Sequence, residues 1–156
     1  MQKIYLMILD MKLLNIFIYK ELSNLTINND DSIVQKAIEL VSNFINLRTI
    51  TDIYFKEELP FARTKSVVGN YAFGDIYITT KPTCSSKLKI LIHEIGHYIH
   101  DIYFKDKQFR FSTTEKTAYA RKNYKENFAE CFTDLVFYRK KNERTKKMLK
   151  ILNEII

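Results

Sequence analysis

The sequence predicts an α+β fold, in which a small sheet packs on a helix carrying His93 and a second helix, carrying Glu126, crosses beneath it. Apolar residues recur at three- and four-residue steps in separate blocks, and two short runs are rich in Ile, Tyr, Phe and Thr. The 156 residues, 46% of them hydrophobic with only three Gly and two Pro, suit one domain, residues 1–156, with a buried core.

The first predicted helix starts at an Asp31-Ser32 cap and ends near Arg48. Its apolar positions lie at helical spacing: Ile33, Ala37, Leu40, Val41 and Phe44. Two strands are expected next, at residues 50–56 and 74–80, because their β-branched and aromatic side chains suit a pleated surface.

The second predicted helix follows Pro82, and its cap is one of three residues, Thr83, Ser85 or Ser86. Its apolar stripe is Leu88, Leu91, Ile92, Ile95 and Ile99. A polar, basic stretch at residues 105–116 leads to a third helical pattern, Phe128, Cys131, Phe132, Leu135 and Val136. A last short basic helix begins at about Arg144.

The N-terminal stretch, residues 4–19, is apolar apart from Asp10, Lys12 and Asn15. These interruptions leave no run of about 20 apolar residues for a membrane helix, and Asp10 cuts short the apolar region that a secretion signal needs. We therefore expect core-forming structure here. A cytoplasmic protein is favoured, and secretion is the alternative.

The two cysteines, Cys84 and Cys131, do not form a CxxC pair. The sequence therefore favours neither a disulfide framework nor a thiolate metal site. Both residues are expected to be small buried hydrophobic side chains.

The strongest chemical pattern is H-E-x-x-H at residues 93–97. Residues i and i+4 of a helix lie one above the other, about 6 Å apart in rise, so His93 and His97 can bind one ion. Glu94 projects from the edge of the same face, where a carboxylate can act as general base toward a metal-activated water. Burying three such residues among apolar neighbours would be costly unless they were paired or bound to metal.

A third protein ligand has to come from elsewhere in the chain. His100 lies about 10 Å in rise from His93, too far for one ion, and is expected at the surface or beside the ligands. Downstream, Glu126 and Glu130 stand four residues apart on a predicted helix. One carboxylate can bind the metal, and the other can accept the free ring N–H of a ligand histidine.

Two segments resemble the catalytic domains of anthrax lethal factor and the bacterial Pro-Pro endopeptidases, which are gluzincin metallopeptidases. They are residues 91–101 and residues 117–132, the second reading TAYARKNYKENFAECF. The family pattern T-x-Y…N-x-x-E-x-F-A-E-x-F is matched here, with a Tyr seven residues before the ligand Glu. The resemblance covers about a fifth of the chain and does not extend to the N-terminal third, so substrate preference is not carried over.

The resemblance implies a zincin-like fold and a zinc endopeptidase with His93, His97 and Glu126 as ligands. It also implies Glu94 as the general base, Glu130 as the acceptor that orients a ligand histidine, and Tyr119 as a group that stabilises the oxyanion. In such folds the peptide substrate lies extended along an edge strand, for which residues 67–72 or 74–80 are the candidates.

Other functions remain open from the sequence. Regulator-cleaving metallopeptidases of the ImmA/IrrE kind share H-E-x-x-H and a downstream Glu. Residues 104–156 carry 14 Lys and Arg against 7 Asp and Glu, so a nucleic-acid-binding module is the alternative from another class. Its candidate basic residues are Arg139, Lys140, Lys141, Arg144, Lys146 and Lys147. A metal-binding pseudoenzyme without activity is a further alternative.

Overall fold

A computed structural model describes residues 31–45, 51–60, 67–105, 107–111 and 118–155. The chain divides into two compact units, Met1–Ser32 and Ile33–Ile156, and the fold below is that of the second. The predicted core-forming stretch at residues 4–19 lies outside the described residues. A single domain over residues 1–156 therefore stays a prediction.

The described residues form an α+β arrangement, which confirms the predicted class. The elements in chain order are α1 (Asp31–Ser42), β1 (Ile53–Lys56), β2 (Gly69–Ala72), β3 (Asp75–Thr79), α2 (Lys87–Phe104), α3 (Ala118–Lys122), α4 (Tyr124–Val136) and α5 (Glu143–Asn153). The short α3 has no counterpart among the predicted helices.

The sheet has the strand order β1-β3-β2, with β1 parallel and β2 antiparallel to β3. β2 and β3 are joined by a two-residue turn, in which Phe73 and Gly74 have φ angles of 55° and 96°. Positive φ at both positions matches the twist of a tight hairpin. Because β3 is paired on both sides, it is excluded as the edge strand, and β2 is left as the candidate.

Helix α2 lies against one face of this sheet. Its cap is Ser86, whose side chain accepts a hydrogen bond from the Lys89 amide. The fully buried Ile76 and Ile78 of β3 belong to this layer, in which α2 packs on β2 and β3. On its other side α2 packs on α4, so the motif helix lies between the sheet and α4.

The crossing of α2 and α4 is close because of Gly96. A Cβ at this position would lie 3.0 Å from Ala129 Cα and 3.3 Å from the Phe132 ring. Two helix backbones approach this closely only where one residue has no side chain. This contact explains why a glycine stands in the middle of α2, although glycine there is less favourable than alanine by roughly 1 kcal/mol.

Asn123 and Asn127 organise the start of α4. Asn123 is the cap, and its side chain accepts from the backbone amides of Lys125 and Glu126. The buried Asn127 side chain accepts from the Phe111 amide at 3.1 Å and donates to the Ala120 carbonyl at 3.3 Å. It thereby joins residues 107–111 and α3 to the helix that carries Glu126.

The first helix ends earlier than predicted, at Ser42 instead of near Arg48. The Ser42 and Asn43 side chains both donate to the Glu39 carbonyl, each at 2.9 Å. These bonds occupy a carbonyl at the end of the helix and compete with continuation of the backbone ladder. The apolar spacing continues past this point, which is why periodicity alone overestimates the length.

The C-terminal helix begins at Glu143, close to the predicted start, with an Asn142–Thr145 capping box. Arg144 is buried and pairs with Asp134 of α4. Cys131 is buried, as expected, but Cys84 is exposed because it lies in the loop before α2. The prediction of two buried cysteines is therefore wrong for Cys84.

Replacing Gly96 by Val is expected to destabilise the protein by about 1–3 kcal/mol, since the added side chain overlaps Ala129 and Phe132. Urea unfolding would measure the change. Ile102→Val is the control, because it places the same residue on the exposed face of the same helix and is expected to cost less than about 0.5 kcal/mol. Equal effects of the two substitutions would contradict the close crossing.

Candidate metal centre

His93 and His97 lie one turn apart on α2, as the motif predicts. Their ring centroids are 4.9 Å apart and the ring planes are inclined by 79°. Both side chains are mostly buried, at 25% and 14% relative exposure. The two imidazoles are therefore held side by side, and α4 approaches them.

Glu126 of α4 completes the group. Its two carboxylate oxygens lie 3.3 Å from His93 Nε2 and 3.1 Å from His97 Nε2. One ligand atom from each of the three residues falls within 4.8 Å of the others, so this group can hold a metal ion. Zinc ligands at about 2.0–2.2 Å from the ion stand roughly 3–4 Å from one another, which matches these separations.

The three side chains also affect one another electrostatically. Burial raises the pKa of Glu126, but hydrogen bonds and charge interactions with His93 and His97 outweigh it and leave that pKa well below the usual range. For His93, burial lowers the pKa, and the Glu126 hydrogen bond with the nearby carboxylates raises it overall. The Glu126 carboxylate is therefore ionised at neutral pH, and its oxygens lie against Nε2 of both imidazoles.

Glu94 is almost fully buried, at 6% exposure, on the side of α2 that faces the sheet. Burial raises its pKa, while His97 and His93 act in the opposite direction. The Tyr71 backbone amide of β2 donates a hydrogen bond to the Glu94 carboxylate. A carboxyl group with a raised pKa beside a candidate metal centre suits proton transfer near neutral pH.

The other two predicted site residues are described only in part. Glu130 is half-buried on α4 and raises the pKa of His93, so its charge acts on that imidazole. Tyr119 belongs to α3, which Asn127 joins to α4, but its side chain lies outside the described part of the structure. The role of Tyr119 therefore stays a prediction.

His100 is buried, so the first of its two expected positions, at the surface, is wrong. It is 1% exposed, and its Nε2 lies 2.9 Å from the Lys107 carbonyl, to which it donates when that nitrogen carries the proton. Its ring contacts those of Phe109, Tyr124 and Phe128. These aromatic residues come from later parts of the chain, so the helical pattern of α2 alone did not predict the burial.

The basic C-terminal residues are largely engaged within the chain. Lys140 lies 3.1 Å from Asp134, Lys146 lies 2.8 Å from Glu143, and Lys147 donates to the Arg110 carbonyl at 3.3 Å. Arg144 is buried and cannot form part of an exposed nucleic-acid face. Arg144 is therefore removed from the candidate basic residues, and the nucleic-acid alternative itself stays a prediction.

Gly69 and Tyr71 of β2 contact the site and were missed by sequence reasoning. A Cβ on Gly69 would lie 2.7 Å from Glu94 Oε1, and the Tyr71 hydroxyl donates to Asp101 Oδ2 at 2.9 Å. One indication of this contact is present in the sequence: Gly69, one of the chain's three glycines, lies in the candidate edge strand at residues 67–72. Neither contact follows from local spacing.

Comparison of the chain with protein-family models, with curated proteins and with solved structures finds no match. In the part of the chain that the structure describes, no helix has both the length and the apolar character needed to cross a membrane.

His100 is expected to make the protein less stable in acid. Burial lowers its pKa below the unfolded value of about 6.5, so the unfolded chain binds the proton first. Its contribution to stability is present above about pH 6.5 and lost as pH falls below that value, by at most about 1.4 kcal/mol per pH unit.

His100→Gln tests this expectation, because Gln keeps an N–H donor and does not titrate. Urea unfolding of chelator-treated wild type and variant would be compared at pH 7.5 and 5.5. Wild type should lose more stability than the variant between the two conditions. The same loss in both proteins would show that His100 does not contribute.

Proposed function

We propose that this protein is a zinc-dependent endopeptidase with a zincin-like fold, similar to lethal factor. The observation that carries the proposal is the convergence of His93, His97 and Glu126, whose ligand atoms lie within 4.8 Å of one another. The neighbouring buried Glu94 supplies the acid-base group that a hydrolase of this kind needs. An α2 enclosed by a sheet and by α4 is consistent with such a fold.

The donor set favours zinc. Two imidazoles and one carboxylate are a ligand set of catalytic zinc, which leaves a position for water or substrate. When bound, the ion would act as a Lewis acid that polarises the scissile carbonyl and lowers the pKa of water. Glu130 would accept the free ring N–H of a ligand histidine, for which His93, whose pKa it raises, is the candidate.

The proposed base is Glu94. It takes a proton from the attacking water and gives one to the leaving amine, two transfers that a carboxyl group with a raised pKa can perform near neutral pH. Tyr119 would donate a hydrogen bond to the developing oxyanion, a contribution that can reach about 3–4 kcal/mol. That role rests on the resemblance.

The proposed substrate is an extended peptide that adds to β2. The Thr79 amide bonds to the Val68 carbonyl, so the alternate residues Gly69 and Tyr71 direct their backbone groups away from β3. The Gly69 backbone groups and the Tyr71 carbonyl are directed outward in this way and can hydrogen-bond a substrate backbone, whereas the Tyr71 amide is engaged with Glu94. A regulator-cleaving peptidase of the ImmA/IrrE kind would use the same ligand set, and the identity of the cleaved protein distinguishes the two.

Removing a ligand is expected to abolish tight zinc binding. His97→Ala and Glu126→Ala should each lower the zinc affinity by more than about 100-fold, because each leaves only two protein ligands. Isothermal titration and mass spectrometry of the loaded protein would measure affinity and stoichiometry. The control is His100→Gln, which changes the third histidine of the chain and should keep one zinc. A wild type that binds no zinc would contradict the proposal.

Glu94→Gln is expected to keep zinc and to lower peptide cleavage by about 10²–10⁴-fold, since an amide cannot accept the proton from water. A peptide library followed by mass spectrometry would measure cleavage. Glu39→Gln makes the same chemical change at an exposed position of α1 and should leave cleavage intact. If wild type binds zinc but cleaves no peptide, the pseudoenzyme alternative replaces the peptidase.

A further inference from the structure

Strand β2 approaches the motif helix unusually closely at Gly69. A Cβ on Gly69 would lie 2.6 Å from Ile90 Cγ2, 2.7 Å from Glu94 Oε1 and 3.1 Å from Glu94 Cγ. Heavy atoms in van der Waals contact stand about 3.5–4.0 Å apart, so no side chain fits between the strand and Glu94. The carboxylate therefore occupies the space that any other residue at position 69 would fill.

The same strand also bonds to the carboxylate. The Tyr71 amide donates a hydrogen bond to Glu94, and the alternation of the β2–β3 ladder directs this amide away from β3. Two alternate residues of β2 thus adjoin Glu94. Gly69 leaves room for the carboxylate because it has no side chain, and Tyr71 donates its backbone N–H to it. Together they restrict the carboxylate on two sides.

Further contacts, on the C-terminal side of Glu94, also hold β2 against α2. The Tyr71 hydroxyl donates to Asp101 Oδ2 at 2.9 Å, and the Tyr71 and Tyr98 rings meet edge to face at 6.2 Å. Tyr98 and Asp101 follow Glu94 by about one and two turns of α2. The strand is therefore attached along the helix and cannot easily yield when a group is added at Gly69.

We propose that Gly69 is a positioning residue for the proposed base: its missing side chain and the Tyr71 amide hold the Glu94 carboxylate where it faces the His93–His97–Glu126 group. The inference rests on the proposed function for its catalytic consequence, but the steric contact exists independently of it. A methyl group at position 69 would push aside the end of the Glu94 side chain, because that end moves more easily than the strand backbone.

The test is Gly69→Ala. The φ of Gly69 is not in the positive region, so alanine is compatible with its backbone. Zinc content and KM should stay within about threefold of wild type, whereas kcat should fall by at least about tenfold, because small displacements of a reacting group are costly. A variant that keeps its zinc and its kcat overturns the proposal.

Gly74→Ala is the matched control. It adds the same methyl group in the same hairpin, at a position with φ of 96° and with no atom within 4 Å of the new Cβ. Strain should lower its unfolding temperature without changing kcat. If Gly74→Ala lowers kcat as much as Gly69→Ala does, the effect is general to the hairpin and the proposal fails.

A second readout does not depend on activity. Gly69→Ala is made in wild type and in Glu94→Ala, and the unfolding temperatures of all four proteins are compared. The alanine should lower the midpoint by a few degrees in wild type and by less when the Glu94 side chain is absent, since contacting residues show non-additive effects. Equal losses in both backgrounds overturn the inference.

The two readouts separate this inference from the peptidase proposal. If wild type cleaves no peptide but the unfolding temperatures are non-additive, the contact between Gly69 and Glu94 stands and the peptidase proposal fails. If wild type cleaves peptides and Gly69→Ala does so at the same kcat, the peptidase proposal stands and the role of Gly69 is refuted.

Discussion

The close crossing of α2 and α4 is the constraint on which the site depends. Gly96 lets the Ala129 backbone approach, and Glu126, about one turn before Ala129, then lies against both motif histidines. Metal-ligand distances tolerate deviations of only about 0.2 Å. A wider crossing would move the carboxylate by much more than that, so the absence of one side chain in the helix core determines whether three ligand atoms converge.

The charges of the site favour the same arrangement before any ion is bound. Interaction with the histidines lowers the pKa of Glu126, and interaction with Glu126 raises that of His93, so the carboxylate and the imidazoles stabilise one another across the helix crossing. The atoms that face one another in this group are the atoms that would bind a metal ion. An ion bound there would meet donor atoms that already lie within 4.8 Å of one another.

The sequence predicts those features of the site that arise within a single helix, and it does not predict those that depend on contacts between distant segments. The spacing of His93 and His97 fixes their geometry because a helix period converts sequence distance into position. The choice of Glu126 as third ligand needed the family resemblance as well, because spacing alone allowed either Glu126 or Glu130 to bind the metal. The burial of His100 depends on aromatic residues distant in sequence, and the contact of Gly69 with Glu94 depends on how β2 lies on α2. No periodicity in the chain contains that information.

Each of the chain's three glycines stands where a side chain would conflict with the backbone conformation or with a close contact. Gly74 takes a positive φ in the hairpin that sets the register of β2, while Gly69 and Gly96 allow backbones to approach α2 from the sheet and from α4. The motif helix is thus contacted closely on two sides, beside Glu94 and beside His97. In this arrangement the candidate ligands and the proposed base are positioned by separate contacts, so a change at Gly69 would displace the base and leave the His93–His97–Glu126 group in place.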